Sequence, residues 1–358
     1  MFKTFKKKYN FNISFYILFL FLIIFFIKFS TVKVIANNYK VLDLEISKTY
    51  NNDFDKEEVI DMAFKKAFKE LILRITTTNG EYLSEITNLK TIYSLIESFS
   101  IIDEKFIDNK YVSKFEVEFS KKELFKYLEK KNIFPSIPKE KSLLLIPILI
   151  NNDKKQALLF SENPFYSNWN KSKKKHYLLN YILPNEDIED INLIKKNIDY
   201  IEEYNFNEIV AKYEIDNYII LILFQKNNNL NALMKSNLNN KIIISNKKFV
   251  WDENQTIDNI IDNLKLEFEN QWKKINIINV SIKLPITLSV YSKNYELIKK
   301  LEKKLYNLDL VSEFYIHSFN SDKLIYRIVY NSTPDKFINE FSNDDIKLYT
   351  NESVWRIE

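Results

Sequence analysis

The chain is 358 residues long, enough for two or three domains, and 46% hydrophobic with 15% aromatic residues, so it can bury sizeable cores. Its formal charge of +4 arises from the first 36 residues, where Lys3, Lys6, Lys7, Lys8, Lys28 and Lys33 stand without an acid; the remainder is slightly acidic, which argues against a nucleic-acid partner. There is no Cys and a single Gly, Gly80. Disulfides, thiol catalysis, Cys-based zinc sites and a lipoprotein anchor are excluded, as are a GxGxxG loop, a P-loop and a GxSxG elbow.

Phe11–Phe29 comes first in the chain. It is uncharged from Ile13 to Ile27, apolar all round, and preceded by the Lys cluster. That is the make-up of a signal peptide or a membrane anchor over residues 1–36. Val34-Ile35-Ala36 suits cleavage after Ala36, and retention as an inner-membrane anchor gives the same topology, with the body exported. An exported chain without Cys suits a bacterial periplasm.

Residues 37–139 are expected to form an α+β module of order β-α-α-β-β-α. Asn37–Ser47 predicts a strand with Leu42, Leu44 and Ile46 on one face. Apolar pairs recur every four residues from Lys56 to Ile75 and predict an amphipathic helix, capped by Asp53 or Asp55 and ended by Thr76–Gly80. A second helix is expected over Ser84–Glu97. Phe99–Ile107 and Tyr111–Phe119 read as a hairpin, and Ser120 as the cap of a helix over Lys121–Lys131.

Residues 140–277 are expected to form a central α/β layer. Ser142–Ile150 and Asn217–Gln225 read as strands buried on both faces, and Pro147 argues for an edge or a bulge. Gln156–Phe160 is a further candidate strand that could pair with the first, and the irregular segment Asn163–Tyr177 and then Leu178–Leu183 follow it. Helices are expected over Ile191–Glu203 and Phe206–Tyr213. The polar tract Lys226–Asn240 reads as a loop or hairpin tip, followed by short strands Lys241–Ser245 and Lys248–Trp251. Thr256–Ile275 predicts a long helix with Ile257, Ile260, Ile261, Leu264, Phe268 and Trp272 inward. Residues 278–358 follow the order β-α-β-β-α-β, which predicts a ferredoxin-like module with Pro285 at an edge or bulge.

The string Ala63–Ile75, the strand Tyr111–Phe119, the helix Leu124–Asn132, Pro135 and the apolar run Leu143–Ile150 resemble a bacterial envelope family called domain of unknown function 2066. The resemblance covers about residues 39–150 and extends more weakly to about 275. It implies an exported α/β protein with no known enzyme activity. The family usually has Gly after its helix and in a G-x-P turn, where this chain has Ile75-Thr76-Thr77 and Asn132-Ile133-Phe134-Pro135. Glu208–Ile220 with the following hairpin and long helix is similar to periplasmic modules like the amino-terminal domain of the translocation protein TolB, which are protein-interaction modules.

No catalytic, cofactor or metal residues emerge. His176 and His317 lie in different expected domains without HxH or HExxH spacing. Glu186, Asp187, Glu189 and Asp190 read as the acidic start of a helix. The best candidate interaction surface is Asn163–Tyr177, with Phe165, Tyr166, Trp169, Lys174, Lys175 and Tyr177. Such aromatics either stack on a glycan or anchor a protein interface, or they tuck onto the domain's own core. The expected function is a non-catalytic envelope protein that contacts other envelope proteins. The alternative is a carbohydrate-binding protein or hydrolase using residues 163–190.

Overall fold

The computed structural model describes residues 39–77, 80–154, 156–171, 173–251, 256–342 and 346–358; the expected leader lies outside them. Among the described residues the protein is mixed α/β, with ten helices and three sheets, and no helix is long and apolar enough to cross a membrane.

The first sheet has the order β1-β3-β2, built from β1 (Lys40–Thr49), β2 (Ile96–Ile107) and β3 (Lys110–Phe119), with β3 antiparallel to both neighbours. Asp43 takes a left-handed φ of 51° at a bulge between Val41 and Leu44. The bulge shifts the side-chain phase. Val41, Leu44 and Ile46 point inward, and Leu42, expected inside, is 43% exposed. Helix α1 (Lys56–Ile75) starts where Asp55 accepts a hydrogen bond from the Glu57 amide, and it buries Val59, Ala63, Phe64, Ala67, Phe68, Leu71, Ile72 and Ile75.

The single helix expected over Ser84–Glu97 is instead two short ones, α2 (Gly80–Ile86) and α3 (Leu89–Leu95). Asn88 breaks the run because its side chain caps the second by accepting from the Thr91 amide. Gly80 begins α2 rather than merely ending α1. A Cβ there would lie 2.4 Å from Thr76 Oγ1, which donates to the Ile72 carbonyl. Ser120 precedes α4 (Lys121–Lys130) but makes no side-chain cap.

The central sheet contains β4 (Lys141–Asn151), β5 (Gln156–Leu158), β6 (Leu179–Ile182), β7 (Tyr218–Lys226), β8 (Asn229–Leu238) and β9 (Lys241–Val250). Its order is β5-β4-β7-β8-β9, with β6 beside the start of β4. The tract expected as a loop or hairpin tip is therefore mostly strand β8, paired over Asn229–Asn237 with β7 and over its whole length with β9. Leu230, Ala232, Met234 and Leu238 alternate inward, which the intervening Asn residues disguise. The β8–β9 turn uses Asn239 and Asn240, both with positive φ, as a two-residue hairpin connection of this kind requires.

Pro147 is not at the outer edge of the sheet. It pairs in register with β7, and on its other flank it lies between the stretches held by β6 (Lys141–Leu144) and β5 (Leu149–Asn151). Its missing N–H falls where no ladder partner stands, and its carbonyl accepts from Asn163 Nδ2 at 3.0 Å.

On one face of this sheet lie α5 (Pro164–Asn168) and the long α8 (Ile257–Ile275), around Phe165, Trp169, Leu264, Phe268 and Trp272. On the other lie α6 (Ile188–Lys196), α7 (Asn207–Ala211) and a 3-10 turn at Ile198–Tyr200, around Ile146, Ile148, Ile220 and Ile222.

The last sheet has the order β11-β12-β10-β14-β13. It comprises β10 (Leu284–Tyr291), β11 (Val311–Phe319), β12 (Lys323–Tyr330), β13 (Leu348–Tyr349) and β14 (Trp355–Ile357), with α9 (Tyr295–Asn307) and α10 (Pro334–Ser342) between strands. The strand after α10 does not sit beside β10. The terminal β14 intervenes, parallel to β10 and antiparallel to β13. Pro285 pairs with Val329 of β12, at the end of β10 that β14 leaves unpaired.

The buried side chains of the first and last sheets form one continuous core, from Val41, Phe68 and Phe119 to Leu301, Tyr330 and Phe341. The central sheet joins them through two adjacent connections. The Ile278 amide donates to the Pro135 carbonyl and the Ile137 amide to the Asn276 carbonyl, at 2.7 and 2.9 Å.

Candidate interaction groove

The six side chains expected to form an interaction surface do not share one. Phe165, Trp169 and Tyr177 are buried, so their rings are core and present no stacking platform; Phe165 and Trp169 pack under α8. Tyr166 is half-buried on the opposite face of the sheet and donates to the Pro184 carbonyl at 2.7 Å. Lys174 pairs with Asp262 at 3.2 Å, and Lys175 donates to the Asp43 carbonyl at 2.8 Å. The nearby acids have structural partners as well. Glu186 accepts from the Ser161 amide, Asp187 caps α6, and Asp187 and Asp190 hold Lys212 at 2.8 and 2.7 Å. Trp169 and Tyr166 lie on opposite faces of the sheet, so these residues do not line one cleft.

Helix α8 holds the segment before β6 in place through side chains that an apolar-periodicity reading passes over. Glu269, fully buried, accepts from the Leu178 and Leu179 amides at 2.8–3.1 Å. Burial pushes its carboxyl up, against the pull of those two amides and Lys273. Lys265 donates to the Trp169 carbonyl at 2.6 Å, with its ammonium 5.8 Å from the Trp169 ring and 5.9 Å from the Tyr181 ring. Lys273 donates to the Leu73 carbonyl, tying the central sheet to α1. His176 lies beside this strip. Burial, then the positive charges of Lys273, Lys174, Arg74 and Lys69, press its imidazole down to about 4. These groups are a buried brace and offer no open chemistry.

The open surface lies on the other face, over β8 and β9. The helices on that face cover β4 and β7 and stop there. A groove of about 820 Å³ remains, floored by Ile150, Phe224 and Leu233, with Asn231, Asn246 and Lys248 along β8 and β9 and Asp199 and Glu202 on the facing wall. A smaller hollow continues along the same strands past Ile242 and Ile244. Lys235 separates the two by donating to the Glu202 carbonyl. Ile242, Ile244 and Val250 of β9 are 77%, 63% and 54% exposed. Strand β9 ends the sheet, so among the described residues its outer backbone groups have no ladder partner.

This surface escaped sequence reasoning because β8 reads as a loop. The usable signal was Leu230, Ala232, Met234 and Leu238 at alternate positions. No protein-family model matches the chain, and no curated protein matches it. Among the described residues no group of three or more His, Asp or Glu side chains is placed to hold a metal ion.

Proposed function

We propose that the chain is a non-catalytic, exported envelope protein that works by binding other envelope proteins. Its body stands in the periplasm, released or held to the inner membrane through residues 11–29. Its modules are an α+β module at 37–139 related to the envelope family named above, a central α/β module at 140–277, and a ferredoxin-like module at 278–358 widened by one inserted strand. The observation that carries this reading is the half-covered central sheet. A soluble protein rarely leaves a regular strand with several exposed branched apolar side chains at a sheet edge unless something covers it. The groove beside it mixes apolar floor with amides and charges, as protein-contact surfaces do. The acids at 186–190 are engaged in capping and ion pairs, so the glycan-directed alternative gains no support from them.

The test is a crosslinking pull-down from the native envelope, with the N-terminus of the recovered chain sequenced. Recovery of a fixed set of envelope proteins supports the reading, and a start at Asn37 identifies a released form. A chain recovered alone, or with glycan strands instead of proteins, overturns it.

A further inference from the structure

We propose that the groove edge is a strand-addition site: an extended segment of a partner protein, rich in acidic residues, pairs with the outer edge of β9. This rests on the reading of the chain as an envelope interaction protein and specifies the chemistry of its partner.

Three observations lead there. Strand β9 is 10 residues long and pairs with β8 at every position without a bulge, so its outer edge is regular. A regular unpaired edge presents a row of amides and carbonyls, and an added strand satisfies them. Natural edges are usually blunted by bulges, prolines, short length or charged side chains. Strand β9 has no bulge or proline and is not short, and its only such device is Lys241, Lys247 and Lys248, which repel a basic strand and not an acidic one.

The second observation is the alternation. Ile242, Ile244, Asn246, Lys248 and Val250 alternate as the exposed side chains of β9, with Ile243, Ser245, Lys247 and Phe249 more covered between them. Asn246, Lys247 and Lys248 line the groove, and Ile242 and Ile244 the smaller hollow. A neighbouring strand would set every second side chain against Ile242 and Ile244, where apolar partners fit.

The third is charge. Lys241, Lys247 and Lys248 are the only charged residues of β9, and none is in an ion pair with the described residues. An acidic segment matches this edge, and a basic one meets like charge. Asp199 and Glu202 on the far wall disfavour acids that reach across the groove, so the matching carboxylates belong beside β9.

A second copy of this chain is the competing occupant. Its exposed strand β2 carries Asp103 and Glu104, but those acids already pair with Lys105 and Lys56. The observations therefore favour a different partner.

The experiment selects short peptides from a displayed random library on the exported body, with Lys241→Glu/Lys247→Glu/Lys248→Glu as the counter-screen. The expected result is a set of acidic, proline-poor peptides with alternating apolar residues. Their affinity should fall about tenfold or more on the triple variant, and again when alternate peptide amides are N-methylated. Unchanged melting of the triple variant shows that it folds, and Ile244→Thr gives a second probe of the same edge. The proposal is overturned if no peptide binds tighter than roughly 100 μM, or if neutral and basic peptides bind equally well. It is also overturned if N-methylation has no effect, or if the protein dimerises through β9. A pull-down that still recovers a fixed envelope set after any of these outcomes leaves the interaction reading standing and removes only strand addition.

Discussion

Glu269 shows how one side chain can hold a long segment in place. Its buried carboxylate takes two consecutive amides, at Leu178 and Leu179, that no strand partner reaches. Glu269→Ala leaves both buried amides without their acceptor, so it should cost about 2–4 kcal/mol in urea unfolding. Glu269→Gln keeps an acceptor and should cost less. His176 makes a different prediction. Its folded-state value is about 4 against an ordinary 6.5. Between these, the unfolded chain holds the proton and the folded one does not, so stability falls as pH drops from 6.5 to 4. His176→Gln should flatten that limb of a urea-midpoint profile, and an unchanged slope would assign the acid loss to other groups. Sequence reasoning placed Leu264, Phe268 and Trp272 inward but passed over Lys265, Glu269 and Lys273 beside them. A charged residue next to an apolar stripe ordinarily faces water; here Trp169 meets Lys265, Leu178 and Leu179 meet Glu269, and Leu73 of α1 meets Lys273.

At the scale of elements, one glycine serves the whole chain, and Asn and Asp fill most left-handed positions. Among the described residues, seven of nine with positive φ are Asn or Asp. Asn239 and Asn240 both take that conformation between β8 and β9. Asn240→Val should therefore cost roughly 1–2 kcal/mol, since a β-branched residue tolerates it poorly; a chemical-denaturation shift near zero would show that the turn is not set this way. The long helices α1 and α8 were legible because four-residue apolar spacing reports burial directly. Strand β8 was not, because Asn229, Asn231 and Asn237 mask a two-residue alternation that neighbouring strands complete. The bulge at Asp43, which turns Leu42 outward, likewise has no signature in a run of alternating apolar residues.

At the scale of the molecule, β1–β3 and β10–β12 repeat one arrangement, a strand, a helical connection and a hairpin whose second strand lies in the middle. Their cores merge, with the Lys121 ammonium donating to the Leu308 carbonyl and Lys122 pairing with Glu313 at 2.6 Å. Residues 38–139 expressed alone should remain largely unfolded by circular dichroism, and residues 38–358 should fold; an independently folded fragment would show that the shared core is dispensable. This joining of distant segments left no trace in local patterns, because it depends on which faces meet. The exposed face of the central sheet is the feature on which the proposed binding role rests. Its most direct test is site-specific photo-crosslinking in native cells from position 244, on β9, against position 188, where Ile188 is also exposed but lies away from the groove. Discrete protein adducts from 244 and none from 188 are the expected result. The same adducts from both positions, or none from 244, would contradict a docking surface on β9.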